Sequence, residues 1–235
     1  MKPGSRHPIH MGINFIVSPT PIINRQTYLD FQNSLDQCSV EFTNAARQDS
    51  QQGHQIAITR AGPRPLQIVV VASTLQPVGQ LLILATPEPG RTLEYFIQEA
   101  EHVVEAFQTT WPIPHRQIIK RDVALRDLYE TTSEHAFQEI WQDQLGQTVN
   151  SLAAFDRLVL GGGLRFVMPP QRDKPAQIEV KIESYLKDSS KLFVETQFAW
   201  HEPMPPGAPF DPRERLLEAN SYIENHILAF MEVTK

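Results

Sequence analysis

Leu93-Glu94-Tyr95-Phe96-Ile97-Gln98-Glu99-Ala100-Glu101-His102-Val103-Val104-Glu105-Ala106-Phe107 decides how this chain is read. Leu93, Phe96, Ile97, Ala100, Val103, Val104 and Phe107 recur at three- and four-residue spacing, with Glu94, Gln98, Glu101 and Glu105 between them. At 3.6 residues per turn these positions share one side of a helix, an apolar stripe laid on a core. A second stretch near the C-terminus repeats the stripe. Leu216, Ile223, Ile227, Ala229 and Phe230 fall in register with Leu93, Ala100, Val104, Ala106 and Phe107. Pro87-Glu88-Pro89-Gly90 precedes the first helix and Asp211-Pro212 precedes the second, the latter as an N-cap followed by proline in the first turn.

Working outward, each helix closes a segment of similar order. In the first, residues 13–17 read as a strand, and Ser18-Pro19-Thr20-Pro21 as a turn. Tyr28, Phe31 and Leu35 mark an opening helix that ends before the polar residues 48–53. Strands are expected at 55–60, 66–73 and 80–86, with Gly62-Pro63 and Gln76-Pro77-Val78-Gly79 between them. Ile68-Val69-Val70-Val71 is β-branched and apolar on both faces, which predicts a strand that is central and covered. Trp111-Pro112-Ile113-Pro114 ends the closing helix and marks a boundary between halves.

The second segment opens with a strand at 117–129. A helix at 135–145 follows, carrying Phe137, Ile140, Trp141 and Leu145 and stopped by Gly146. A strand at 158–168 is interrupted by Gly161-Gly162-Gly163. Ile178, Val180 and Ile182 then alternate with charged residues and are followed, across Lys187-Asp188-Ser189-Ser190, by alternating Leu192, Val194, Thr196, Phe198 and Trp200, a hairpin with one buried face and one wet face. The fold class expected is α+β: two related halves, each strand-helix-antiparallel strands-helix, arranged about a pseudo-twofold. Residues 1–11 form a flexible arm, 12–112 the first half and 113–235 the second. The two sheets either join edge to edge or face each other through their helices.

Composition bounds the function. With 235 residues, 41% of them hydrophobic, the chain can bury a sizeable core. Its longest apolar runs fall far short of the roughly 20 residues that span a bilayer, and with no secretory segment recognised the expected location is the cytoplasm. The single cysteine, Cys38, excludes an internal disulfide and a cysteine zinc cluster, and is read as a small apolar side chain. A net charge of −6 sets the chain as a whole against phosphate backbones.

No short motif carries catalysis. Gly161-Gly162-Gly163 lacks the spacing and the following helix of a phosphate loop and reads as a bulge or a close backbone approach. Glu99 and His102 have the i, i+3 spacing of a di-iron ligand pair, but the matching positions of the second closing helix are Tyr222 and Asn225, so the pair reads as solvated helix face. His226 sits in an apolar stretch without an identifiable partner. No catalytic residue, metal ligand or cofactor is assigned.

The order of elements resembles the TATA-binding-protein-like architecture, a βαβββα unit repeated within one chain. The chain is also similar to an uncharacterised bacterial family of like length, with a strand reading Gly163-Leu164-Arg165-Phe166 and a closing helix carrying His and an apolar stripe. Neither resemblance transfers a functional residue. The leading expectation is a non-enzymatic binding protein that presents a concave face to a protein partner or to a second copy in a homodimer. The first alternative is a small-molecule site or enzyme pocket lined by Trp200, Trp141 and Phe166 and edged by Arg165, His201 and Glu202, of which Arg165, Trp200, His201 and Glu202 are the ligand-binding candidates. The second is a nucleic-acid binder, opposed by Glu179, Glu183 and Glu195, with Lys181 as the one cation among them, on the wet face of the second hairpin.

Overall fold

A computed structural model describes residues 1–2, 4–87, 92–112 and 116–232. The elements run β1 (His7–Ser18), α1 (Arg25–Gln37), β2 (Asn44–Ser50), β3 (Gly53–Arg60), β4 (Leu66–Ser73), β5 (Gly79–Ala85) and α2 (Leu93–Thr110). They continue with β6 (Gln117–Glu130), α3 (Ala136–Gln138), β7 (Gly163–Met168), β8 (Ala176–Ser184), β9 (Lys191–Trp200), α4 (Pro212–Tyr222) and α5 (Leu228–Glu232). The fold is α+β, and every strand joins one nine-stranded antiparallel sheet, ordered β2-β3-β4-β5-β1-β6-β9-β8-β7. The two strand sets therefore meet edge to edge, through β1 and β6. Outward from that pair the order is β5, β4, β3, β2 on one side and β9, β8, β7 on the other.

One face of the sheet is buried. Alternate residues Met11, Ile13, Phe15 and Val17 of β1 and Val123 and Leu125 of β6 lie under the helices with Ile83, Ile68, Val194 and Phe198. Helix α2 packs on β1 and β5, α4 packs on β6 and β9, and α2 and α4 touch each other. Helix α1 lies against α2, with Phe31 and Phe107 each 5.1 Å from the Trp111 ring. Phe107 also meets Phe210 edge-on at 5.8 Å. Arg213 at the start of α4 reaches back to Glu94 and Glu101 on α2, at 2.9 and 2.8 Å. Both stripes are buried along most of their length, with Ala100, Val104, Ile223 and Ile227 all in the core. The register slips at the end, where Phe107 is buried while Phe230 is exposed and Met231 is buried instead. A π-helical stretch, Ile223–Ile227, stands between α4 and α5.

Several expectations need correction. The arm placed at residues 1–11 is strand from His7 onward: β1 begins there because the fourteen-residue β6 extends to Glu130 and supplies partners for it. Met1 is buried, and the Lys2 amide donates to the Glu130 carbonyl at 2.8 Å. Strand β2 was not expected; as an edge strand with polar residues it shows no alternation to read. Val69 and Val71 of β4 lie on the sheet face that carries no helix, so β4 is interior but not covered on both sides; Val69 is buried in register with Ala57 and Leu82. Helix 135–145 is a single α-turn, Ala136–Gln138, continued as a π-turn, Glu139–Gln144, and Gly146 follows with φ +62°. The seventh strand starts at Gly163 rather than at 158, and a 3₁₀ segment, Val149–Phe155, lies before it. Residues 88–90 of the first stop signal and the proposed boundary at 113 lie outside the described residues.

Phe107 on α2 is fully buried and meets the rings of both Trp111 and Phe210. Phe107→Ala is expected to cost about 3–5 kcal/mol, read as a lower midpoint of guanidinium unfolding with an unchanged slope.

Candidate functional site

The site is built from the outer edge of the second half. Three glycines lead into β7. A methyl at Gly163 would stand 2.4 Å from the Ile182 carbonyl oxygen, and one at Gly161 would stand 2.6 Å from Ser184 Oγ. The chain comes this close so that β7 can lie on β8: the Ser184 amide donates to the Gly162 carbonyl at 3.0 Å, and the Gly162 amide donates to Ser184 Oγ at 3.1 Å. Hydrogen-bonded and non-bonded pairs alternate in an antiparallel ladder. Leu164, Phe166 and Met168 thus face β8 through their backbone, while the amides and carbonyls of Gly163, Arg165 and Val167 point away from the sheet. No strand pairs with that edge among the described residues.

The side chains of β7 divide between two faces. On the helix-free face a line of ion pairs crosses the second half. Arg126 on β6 donates to Glu195 on β9 at 2.5 Å; Lys181 on β8 bridges Glu195 at 2.8 Å and Glu179 at 3.4 Å; Arg165 binds Glu179 with two bonds of 2.9 Å. Burial alone would raise the Glu195 carboxyl, but its bonds from Lys181 and Arg126 hold it below the usual value. The Glu179 carboxyl is likewise held low, chiefly by Arg165. The line begins and ends on arginine, and its last member, Arg165, lies on the free strand.

On the helix face, β7 and β8 form a groove with the final helix. Phe166, Met168, Val180, Tyr222, Ile227 and Phe230 line an apolar cavity of about 170 Å³. It shares Tyr222 and His226 with a more polar neighbour of about 250 Å³ that includes Lys174, Ser221 and Glu218. Tyr222 donates to Met168 Sδ at 3.1 Å, and its ring lies 4.7 Å from that of His226. Burial raises the Glu218 carboxyl and the Tyr222 hydroxyl. The π-helical stretch places His226 on this groove, which spacing alone could not reveal.

A third cavity, about 420 Å³, lies between the stacked Phe137 and Trp141 rings and the segment containing Leu152, Leu158 and Leu160. Leu158 is 85% exposed, Phe155 68% and Leu160 66%. Together with Phe166, Val167 and Phe230 they make this end of the sheet markedly apolar. The opposite edge differs: Arg47 on β2 and His54 on the adjoining β3 hold Asp49 of β2 at 2.5 and 2.8 Å.

The four ligand-binding candidates are not brought together. Trp200 is 1% exposed, with the guanidinium groups of Arg215 and Arg121 at 5.1 and 5.9 Å from its ring centre, and these two arginines share Asp211. Arg165 lies on the other face of the sheet, because its register partner Lys181 points away from the helices. His201 and Glu202 are exposed beyond the end of β9. Phe166 and Trp141 do line cavities, but different ones. Glu99, read from sequence as part of a solvated helix face, is instead buried against Arg60, and Cys38 is half-buried, its thiol pushed up by burial.

The sequence also gave no sign of a buried polar cluster beneath α4. Arg6 donates to Asp127 at 3.0 Å and to Asn220 at 2.7 Å, beside a cavity of about 240 Å³. Asp127 Oδ2 and Tyr129 Oη are buried without a hydrogen-bond partner among the described residues. Burial raises the Asp127 carboxyl, against the pull of Arg6, and raises Tyr129, with the Asp127 charge adding to the effect. Among the described residues no group of three or more His, Cys, Asp or Glu is placed to hold a metal ion, and no helix is long and apolar enough to cross a membrane. No family model and no curated protein matches the chain.

Two outcomes are expected. Gly163→Ala should destabilise the fold by about 1–3 kcal/mol, measured by thermal or urea unfolding, because its methyl meets backbone on β8. For Asp127, the raised value means that the folded state holds the proton more tightly than the unfolded chain does. Wild-type stability relative to Asp127→Asn is therefore greatest below the ordinary aspartate value of 3.8 and declines as the pH rises through the raised one. Urea unfolding of both proteins across that range measures the slope; a rise instead would mean that Arg6 outweighs burial.

Proposed function

We propose that this chain is a non-enzymatic, cytoplasmic protein-binding module that docks its partner at the β7 end of the sheet. The observation that carries this reading is the difference between the two edges of one sheet. Strand β2 is guarded by ionic side chains, the usual defence of an unpaired edge. Strand β7 carries one charged residue, Arg165, paired with Glu179, but Phe155, Leu158, Leu160, Phe166, Val167 and Phe230 are exposed on it, beside it or in the segment leading to it. Apolar residues gathered in this way mark interaction surfaces, whereas singly scattered ones do not.

The TATA-binding-protein-like reading of the architecture, with the halves descended from a duplication, belongs to this proposal. Matching strand order outward from β1 and β6 and the shared register of α2 with α4 support it. A nucleic-acid role gains no support, since the charged line on the helix-free face pairs every cation with a carboxylate. A second copy remains the alternative partner.

Affinity purification from the native host tests the reading. Wild type should retain a protein in stoichiometric amount, and Leu158→Glu/Leu160→Glu should lose it while melting at an unchanged temperature. If both proteins retain the same set, or neither retains any and light scattering gives only the 26.7 kDa monomer, the reading falls.

A further inference from the structure

We propose that the occupant of the β7 edge is an extended segment of a different protein, added as a tenth strand, with apolar residues alternating with acidic ones. This rests on the protein-binding reading and names the partner's chemistry. The backbone supports strand addition: Gly163, Arg165 and Val167 direct their hydrogen-bonding groups outward, as inferred from the Gly162–Ser184 pair. The helix face supplies the apolar specificity. A strand laid beside Phe166 and Met168 brings alternate side chains to the mouth of the cavity that they form with Ile227 and Phe230.

The helix-free face supplies the charge. From β6 outward the ion pairs alternate, Arg126, Glu195, Lys181, Glu179, Arg165, and they stop on a cation whose side chain is 64% exposed. Charge alternates along the contacts rather than strand by strand, since Lys181 and Glu179 share β8; a carboxylate on the next strand, opposite or diagonal to Arg165, would continue it. A second copy does not supply it. On this face β7 carries Gly163, Arg165 and Val167, and β2 carries Asn44, Ala46, Gln48 and Ser50, none of them acidic.

The test uses the full chain and two short fluorescein-labelled peptides, one alternating valine with glutamate and one alternating valine with lysine, in low salt. The glutamate peptide should bind about five- to tenfold more tightly by fluorescence anisotropy. Arg165→Gln should abolish that preference, and Arg165→Glu should reverse it. Amide exchange at Arg165 and Val167 should slow when peptide is bound, and Val167→Pro, which removes an outward N–H without touching the β8 ladder, should bind neither peptide. Equal affinity for the two peptides, no binding of either, or unchanged exchange at these amides overturns the proposal. So does a dimer in light scattering that Val167→Pro converts to monomer, since a second copy would then fill the edge. A host protein that is lost with Leu158→Glu/Leu160→Glu but retained by Val167→Pro would sink strand addition alone and leave the protein-binding reading standing.

Discussion

Everything in this molecule hangs on the pairing of β1 with β6. The two strands run antiparallel from His7 opposite Leu128 to Ser18 opposite Gln117, with irregularities at Pro8/His10 and Ile16/Val17. Without that ladder each half would be a small sheet with a helix on one side and an unpaired strand at its inner edge. With it, nine strands share one continuous buried face, and α2 and α4 lie side by side across the join. The apolar stripes of the helices and the inward residues of the strands then form one core reaching from Ile56 on β3 to Ile182 on β8.

A sheet covered on one side must satisfy two different demands, and the side chains show how. Beneath the helices, polar groups survive where they are paired, as Arg60 is with Glu99 and Arg121 with Asp211. Asp127 is matched less fully: its burial exceeds what Arg6 returns, and one of its oxygens, like Tyr129 Oη, Thr196 Oγ1 and Trp200 Nε1, has no hydrogen-bond partner among the described residues. On the other side the two halves part company. The first presents Ala57, Val69, Val71, Leu82 and Leu84, whereas the second presents the chain of ion pairs from Arg126 to Arg165. The two sets of strands thus present unlike surfaces.

The legible parts of the fold were those where periodicity reports burial on one side. The hairpin of β8 and β9 and the stripe of α2 are read from spacing because each meets the core with alternate or every third-to-fourth residue. Strand β2 was illegible because one of its edges and most of its side chains meet water, leaving nothing to alternate. The N-terminal extension of β1 was hidden for a related reason: its His, Pro and Gly text has low strand propensity, and only the length of β6 recruits it. The candidate residues fared worst. Trp200, Arg165, His201 and Glu202 are near one another in sequence or strand order, but the period-two alternation sends Arg165 and Trp200 to opposite faces, and Trp200 is sealed beneath two arginines. Conversely, His226 enters the groove through a π-turn that helical spacing does not encode.

The two ends of the sheet show why interaction and stability need not conflict here. An edge strand is held by half as many ladder bonds as an interior one, so it is where a sheet can most readily accept another chain, and also where it is most exposed to the wrong one. At β2 that hazard is met with charge. At β7 a different device operates: three glycines let the chain approach β8 so closely that a side chain at Gly163 would strike backbone, which fixes the strand's register from one side. Register fixed in this way does not depend on anything beyond the edge. In the proposed binding mode, the outward amides, the Arg165 head and the apolar groove would already be in place before a partner arrived, which would lower the ordering cost of binding.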